Sequence, residues 1–427
     1  MIMHDRREFL GILVGGAAVA AAPTAPESVT REHASRLDRL AGARSQDDEA
    51  FWQLVKREFP TRAGLAMMNA ANLCPSPYVV IDTVARLTRD VDADASFQNR
   101  GKFRELRQEA RRRLAAHLSA DPEEIAITRN TSEGNNTVVH GLALGRGDEV
   151  VIWDQNHPTN NISWEVQAER MGFTVKKVAT PTAPRSEDQL AEVFADALSP
   201  HTKVLSFSHV SNVSGVKLPA LRLCSLARDR GILTLVDGAQ SFGAIRVNVH
   251  EMGCDFYTGS SHKWFVGPKE AGVLYVRRDQ VSDLWANDVG VGWQGALQNG
   301  AQKFESLGQR DDACIAAMGT AQEFHATIGI DRMERRVGTL ATAVMEGLRQ
   351  RVPGVTFTTP SSPQLRAGVM IFSIPGTNGR DLFNRLYSEH HIAGARSGAG
   401  VRLSPHIYNT MEDVDRAVGA VATIVGA

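Results

Sequence analysis

Ile232-Leu233-Thr234-Leu235-Val236-Asp237-Gly238-Ala239-Gln240 and, about 26 residues beyond its aspartate, Thr258-Gly259-Ser260-Ser261-His262-Lys263-Trp264 decide how this chain folds. The first is a short apolar, β-branched run of the kind that fills a buried strand, and it stops at a carboxylate followed by glycine. The second places one lysine among hydroxyls and a histidine, flanked by Gly259 and Gly267-Pro268. It lacks the charge pattern of a solvated helix face. In open α/β sheets ligands bind beyond the carboxyl ends of the strands, so the residues that end each run are the ones to inspect.

Working outward, similar runs recur at Ile125 to Thr128, Val150 to Trp153, Val204 to Ser208, Phe256 to Thr258 and Gly272 to Val276. Amphipathic stretches separate them, at Asn135 to Leu144, Ser163 to Met171, Glu187 to Ala197 and Ala220 to Arg230. Strands alternating with helices predict an α/β domain with a mainly parallel sheet over residues 69–304. After Phe304 the pattern changes to long helices, Ala313 to Ile328 and Asp331 to Arg351, then short strands and a last helix from Met411 to Val425. That predicts a smaller α+β domain over residues 305–427. Residues 26–68 read as an arm packed on the body through Phe51-Trp52-Gln53-Leu54-Val55.

The remaining strand ends carry chemistry that fits the first two. Arg129-Asn130-Thr131-Ser132-Glu133-Gly134 precedes a helix, and hydroxyls with free N–H groups at a helix N-terminus suit a phosphate. They equally suit a simple capping box with Thr131 or Ser132 as the cap. Asp154-Gln155-Asn156-His157-Pro158-Thr159-Asn160 puts a histidine just past another strand. A strand-end acid such as Asp237 can cap a helix or bind a metal. It can also pair with a protonated pyridine nitrogen, which is what makes pyridoxal phosphate (PLP) an electron sink. Lys263, partly buried near positive groups, has the setting of a lysine with a depressed pKa.

The order and spacing of these segments resemble the class V aminotransferase family of the fold type I PLP enzymes, from about Phe51 to the C-terminus. Cysteine desulfurases, isopenicillin N epimerases, kynureninase-like lyases and transaminases share that pattern. The resemblance implies that Lys263 holds PLP as a Schiff base and later shuttles the proton. It implies that Ser260, His262, Thr131 and Ser132 bind the phosphate, and that Asp237 pairs with the pyridine nitrogen. Gln240 is then expected on the cofactor's phenolic oxygen, and His157 stacked on the ring with Trp164 as its partner. Ser208-His209-Val210-Ser211-Asn212-Val213-Ser214-Gly215 is similar to the family segment that brings an asparagine, here Asn212, to the cofactor and substrate carboxylate. Val401-Arg402-Leu403-Ser404-Pro405-His406 supplies Arg402 as the α-carboxylate anchor, since a guanidinium fork suits a bidentate contact. Arg396 is the candidate for a second substrate contact. Gln309, where relatives usually carry threonine, is expected to reach the phosphate of the other subunit of a homodimer.

Other features narrow the reading. Ala395-Arg396-Ser397-Gly398-Ala399-Gly400 lacks the cysteine that desulfurases place before this arginine, and the short connection looks isopenicillin N epimerase-like. A persulfide mechanism needs that thiol. A cysteine desulfurase-like enzyme or a C–S lyase without its own nucleophilic cysteine stays open. A binding protein that had lost catalysis would typically lose the lysine or the aspartate, and both are present. The 47 basic and 48 acidic residues nearly cancel, which gives no reason to expect nucleic acid or an anionic membrane as partner. The four cysteines, Cys74, Cys224, Cys254 and Cys314, are scattered without metal-ligand spacing and read as free and buried, with no metal site.

Residues 1–25 read as a twin-arginine signal peptide: Arg6-Arg7-Glu8-Phe9-Leu10, an uncharged run from Gly11 to Ala22, and a small-residue site near Ala18-Val19-Ala20. The run is shorter than the roughly 20 residues needed to span a bilayer. A periplasmic enzyme met by the twin-arginine machinery is therefore expected, with no membrane anchor in its mature form. In architecture and address it is similar to exported PLP enzymes of pyoverdine tailoring. The expected substrate is an amino acid, or an amino-acid residue of a siderophore-type peptide, changed at Cα by transamination, epimerisation or related chemistry.

Overall fold

A computed structural model describes residues 27–43, 49–291 and 293–427. The expected signal peptide falls outside these residues. In chain order the strands are β1 (Ala66–Met67), β2 (Ile125–Thr128), β3 (Glu149–Trp153), β4 (Thr174–Val178), β5 (Thr202–Ser208), β6 (Leu233–Asp237), β7 (Phe256–Ser260) and β8 (Gly272–Val276). After a helical stretch come β9 (Thr356–Phe357), β10 (Met370–Ser373), β11 (Ile392–Ala393), β12 (Ala395–Ser397) and β13 (Gly400–Leu403).

Strands β2 to β8 form one seven-stranded sheet in the order β2-β8-β7-β6-β5-β3-β4. All pairs are parallel except the two that β8 makes with β2 and β7. Apolar runs without polar alternation suit this position, because helices cover both faces. Successive residues go to opposite layers: Ile125, Ile127, Val236 and Tyr257 to one core, Ala126, Leu235 and Phe256 to the other. The buried isoleucines, valine, leucine and phenylalanine among these each contribute about 1.5–3 kcal/mol. Strand β4, not foreseen from the sequence, is the sheet's edge; Lys176 and Lys177 interrupt its apolar pattern, and lysines are a usual guard on an unpaired edge.

The smaller antiparallel sheet has the order β12-β13-β10-β9. The two-stranded pair β1 with β11 ties the N-terminal arm to this region. Helix Asp312–Ile328 packs on helices Phe103–Leu118 and Tyr78–Ala93. It gives Met318, Ala321 and Phe324 to the large core, so that core continues past residue 305. Helix Ile330–Arg351 then bridges the two bodies, with Met333 and Val337 in the large core and Leu340, Val344 and Leu348 in the small one.

Candidate active site

The site forms where β6 and β7 end. Asp237, the last residue of β6, is buried, and every contact on its carboxylate is a donor. The Ala239 N–H donates to Oδ1 at 3.0 Å and Asn135 Nδ2 to Oδ2 at 2.9 Å. Gln240 lies just beyond, but its amide is held by the scaffold: Nε2 donates to the Ala71 carbonyl at 2.9 Å and Oε1 accepts from Trp264 Nε1 at 2.7 Å. One of its N–H bonds is left for a ligand.

After β7 the chain turns through Ser261 to Trp264. Lys263 faces a cavity of about 240 Å³ lined also by Asp237, His157, His262, Ser260, Thr131 and Ser132. No hydrogen-bond partner meets its Nζ among the described residues. Burial pushes this amine below the ordinary lysine range, Asp237 pulls it back up, and the charge of Arg402 pushes it down again. His262 is driven down to about 4, by burial first and then by Lys263 and Lys269, and so stays neutral near pH 7.

The phosphate side is built by helix Thr131–Gly141. Its cap is Asn130, in extended backbone, whose Oδ1 accepts from the Glu133 N–H at 3.0 Å. This corrects two expectations: the helix begins before Asn135, and neither Thr131 nor Ser132 is the cap. The earlier start leaves both hydroxyls in the first turn, on the cavity. Thr131 meets Ser260 Oγ through its N–H and its hydroxyl, each at 2.8 Å. Two hydroxyls beside a helix N-terminus form a cradle for a dianion.

His157 caps helix Pro158–Met171, with Pro158 at the first helical position, a signal that places the helix start well before Ser163. Its Nδ1 accepts from the Thr159 N–H at 3.3 Å, which puts the proton of the neutral ring on Nε2. Burial, then Lys263, lowers its pKa, with Asp237 opposing. Trp164, expected beside His157, is instead a core residue packed edge-on against Phe173, with ring centroids 6.3 Å apart. Two helical turns carry it away from the cap.

Arg402 stands in the middle of β13, buried, and its charge acts on both Lys263 and His157. It donates to the Asn212 carbonyl at 3.1 Å and to Asn69 Oδ1 at 3.2 Å, while its buried Nε finds no partner. No carboxylate pairs with it among the described residues, and burial alone lowers its pKa. A desolvated guanidinium without a counter-charge is a standing demand for an anion. Asn212 therefore serves the anchor through its backbone. Arg396 departs from expectation: it pairs with Val401 across β12 and β13, whereas Arg402 pairs with Ala395, so strand alternation turns it to the opposite face, exposed. Gln309 is also outside the cavity of its own chain, its Oε1 held by Arg100 at 2.6 Å.

The sequence reading missed Asn72, Asn130, Asn135, Thr159 and Asn160 on the cavity wall. Asparagine is common in loops and caps, so only position after a foreseen strand could have flagged Asn130, Asn135, Thr159 and Asn160; Asn72 follows no foreseen strand. The thiols fall into two groups: Cys74, Cys224 and Cys254 are buried, and Cys314 is partly exposed. Cys74 lies near Lys263, but burial pushes its thiol up to about 12 and Tyr408 donates to its sulfur at 3.3 Å.

An unpartnered amine, an acid within electrostatic reach of it, and a hydroxyl-lined helix terminus are the donor set that PLP needs. Residues 69–417 match the family model for class V aminotransferases. The chain belongs to the class V aminotransferase family. It is a PLP-dependent enzyme of fold type I, as the match and the sheet architecture together show. Among class V relatives, isopenicillin N epimerase of Amycolatopsis lactamdurans is 31% identical over 390 residues, covering 87% of this chain and 98% of the relative. Cysteine desulfurase of Salmonella dublin is 28% identical over 391 residues, covering 84% of this chain and 93% of that one. Among solved structures, the apo cysteine desulfurase of Thermococcus onnurineus superposes with a TM-score of 0.78 at 24% identity, over 87% of this chain and 97% of that one. The cystine C–S lyase C-DES, in complex with cysteine persulfide, superposes at 0.78 and 24% identity, over 85% and 99%. At that identity these structures speak for the fold alone.

Proposed function

We propose that this enzyme moves a proton at the Cα of an amino acid, or amino-acid residue, that carries a free amine and a free carboxylate, in a transamination or an epimerisation. The observation that carries this is the pairing of two demands within electrostatic reach of each other: the Lys263 amine facing the cavity without a hydrogen-bond partner among the described residues, and the buried Arg402 guanidinium without a carboxylate there. PLP, when bound, supplies the electron sink for negative charge at Cα. Arg402, oriented by Asn69 and the Asn212 carbonyl, would fix the carboxylate, and the Nζ of Lys263 would take and return the Cα proton. With PLP bound, Asp237 would pair with the ring nitrogen, Thr131, Ser132, Ser260 and His262 would hold the phosphate, and His157 would cover the ring. The isopenicillin N epimerase relatives support inversion as the outcome.

A C–S lyase or desulfurase-like reaction is the second reading, favoured by the cysteine desulfurase relatives. Cys74, raised and hydrogen-bonded, is poorly suited as a persulfide-forming thiol, which leaves simple elimination. One experiment separates the readings: incubation in D2O with free amino acids, cysteine conjugates and short peptides, followed by NMR. Cα deuteration with inversion, or a keto acid that keeps the substrate's side chain, supports the proposal. Pyruvate and sulfide without Cα deuteration in recovered substrate supports the lyase.

The signal at Arg6-Arg7 extends the proposal to an exported small molecule or siderophore-type peptide, processed in the periplasm. Cell fractionation with an Arg6→Lys, Arg7→Lys pair tests this, because export by that route is expected to stop. We also propose a homodimer, in which Gln309 serves the partner's site; the exposed Trp285, Val289 and Val291 give it an apolar surface to bury.

A further inference from the structure

We propose that Asn135 and Asn160 are positioning residues that aim the Asp237 carboxylate, Asn135 being the stronger. Both are essentially buried, and both turn their amide nitrogen toward the same oxygen, Asp237 Oδ2, at 2.9 Å from Asn135 and 3.5 Å from Asn160. Neither amide is free to flip. Thr258 Oγ1 donates to Asn135 Oδ1 at 2.7 Å, and Ser206 Oγ donates to Asn160 Oδ1 at 3.3 Å. The carboxylate only accepts, so each amide must turn its nitrogen to Asp237, which leaves its carbonyl oxygen to accept from the hydroxyl.

The arrangement is a relay across five elements: β7 and β5 supply the hydroxyls, the two cavity helices supply the amides, and β6 supplies the acid. Its tight spacing depends on Gly134. A Cβ there would lie 2.9 Å from Thr258 Cγ2, so glycine lets the helix settle close enough on β7 for Asn135 to reach both partners. With the Ala239 N–H on Oδ1, the carboxylate has donors on both oxygens and little freedom to rotate. A rigidly held acid opposite a ring nitrogen controls the electronics of the cofactor; a swivelling one does so only part of the time.

The inference rests on assigning Asp237 to the ring nitrogen, and the test separates the two. Holoenzymes of Asn135→Leu, Thr258→Val and Asp237→Ala are compared by visible circular dichroism, by pH titration of the cofactor's absorption band, and by kcat and KM separately. Asn135→Leu is expected to shift the titration and reduce the dichroic band, with kcat down about 10–100-fold and KM nearly unchanged, the scale seen when supporting hydrogen bonds are removed. Thr258→Val, close to isosteric, is expected to move the same readouts less. Combined with Asn135→Leu it should add nothing, because both act through one bond. Normal spectra and kcat in both variants, alongside a shifted Asp237→Ala, overturn the positioning role alone. An unshifted Asp237→Ala overturns the assignment of Asp237 itself. Should Asn135→Leu fail to fold, Thr258→Val decides.

Discussion

Asp237 and Arg402 are both buried charges that act on Lys263, and the protein treats them in opposite ways. Asp237 has donors on both oxygens, each supplied by the chain. Arg402 has two contacts to neutral acceptors, an unpartnered Nε and no carboxylate among the described residues. The contrast separates a group prepared for a resident cofactor from one left incomplete for a visiting substrate. A permanent ligand needs an aimed partner, whereas a substrate that comes and goes is bound best by a charge whose partner is missing until it arrives.

The sharpest way to break this contrast is to remove the amine between the two charges. Lys263→Ala should abolish the visible absorption band and all turnover; a variant that keeps both is incompatible with Lys263 carrying the cofactor. Next in size, Arg402→Ala should reduce kcat/KM by roughly 10²–10³, the scale for truncating one partner of a buried charged contact, with Arg402→Lys recovering only part. Steady-state kinetics showing less than a threefold loss would remove the anchor from the account.

Stability should move the other way. Arg402→Met discards a desolvated, unpaired charge, so its urea midpoint should hold or rise. Asp237→Ala strands the Asn135 and Ala239 donors and should cost about 1–3 kcal/mol. Equal losses in the two variants would erase the distinction.

Arginine keeps its proton when buried, but histidine can release it. His117 and His406 are pushed down to about 4, and His209 to about 3, each by burial first. Unfolded histidine titrates near 6.5, so the unfolded chain takes up protons first as pH falls. Their contribution is intact above pH 6.5 and is lost as pH falls through about 4. The urea midpoint should therefore drop between pH 7 and pH 4.5; a flat profile contradicts the assignment. Smallest of all, Arg396→Ala should change KM by no more than about twofold, as for an exposed side chain, because β12 turns it away from Arg402. A KM rise matching that of Arg402→Ala would overturn that strand geometry.

The seven-stranded core was largely legible because its strands are buried on both faces and read as unbroken apolar runs; β2 and β8 lie where the sequence put them, at Ile125–Thr128 and Gly272–Val276. Edge strand β4 was hidden by its lysines. Helix starts were read late where the cap is a residue other than serine or threonine, as with Asn130 and His157. Lys263, Asp237, His157 and the hydroxyls were legible as strand-end chemistry, and the cavity does gather them. What the sequence hid was pairwise geometry. No spacing rule tells that Gly134 brings Asn135 onto Asp237, that strand alternation turns Arg396 outward, or that Trp164 belongs to the core.

The contrast hinges on Lys263 as the amine that holds the cofactor between the aimed acid and the waiting guanidinium. Borohydride reduction of the holoenzyme, followed by proteolysis and mass spectrometry, tests this most directly. The pyridoxyl label is predicted on the peptide containing Ser261-His262-Lys263-Trp264, at Lys263. A label on neighbouring Lys269, or on any other lysine, would contradict the account.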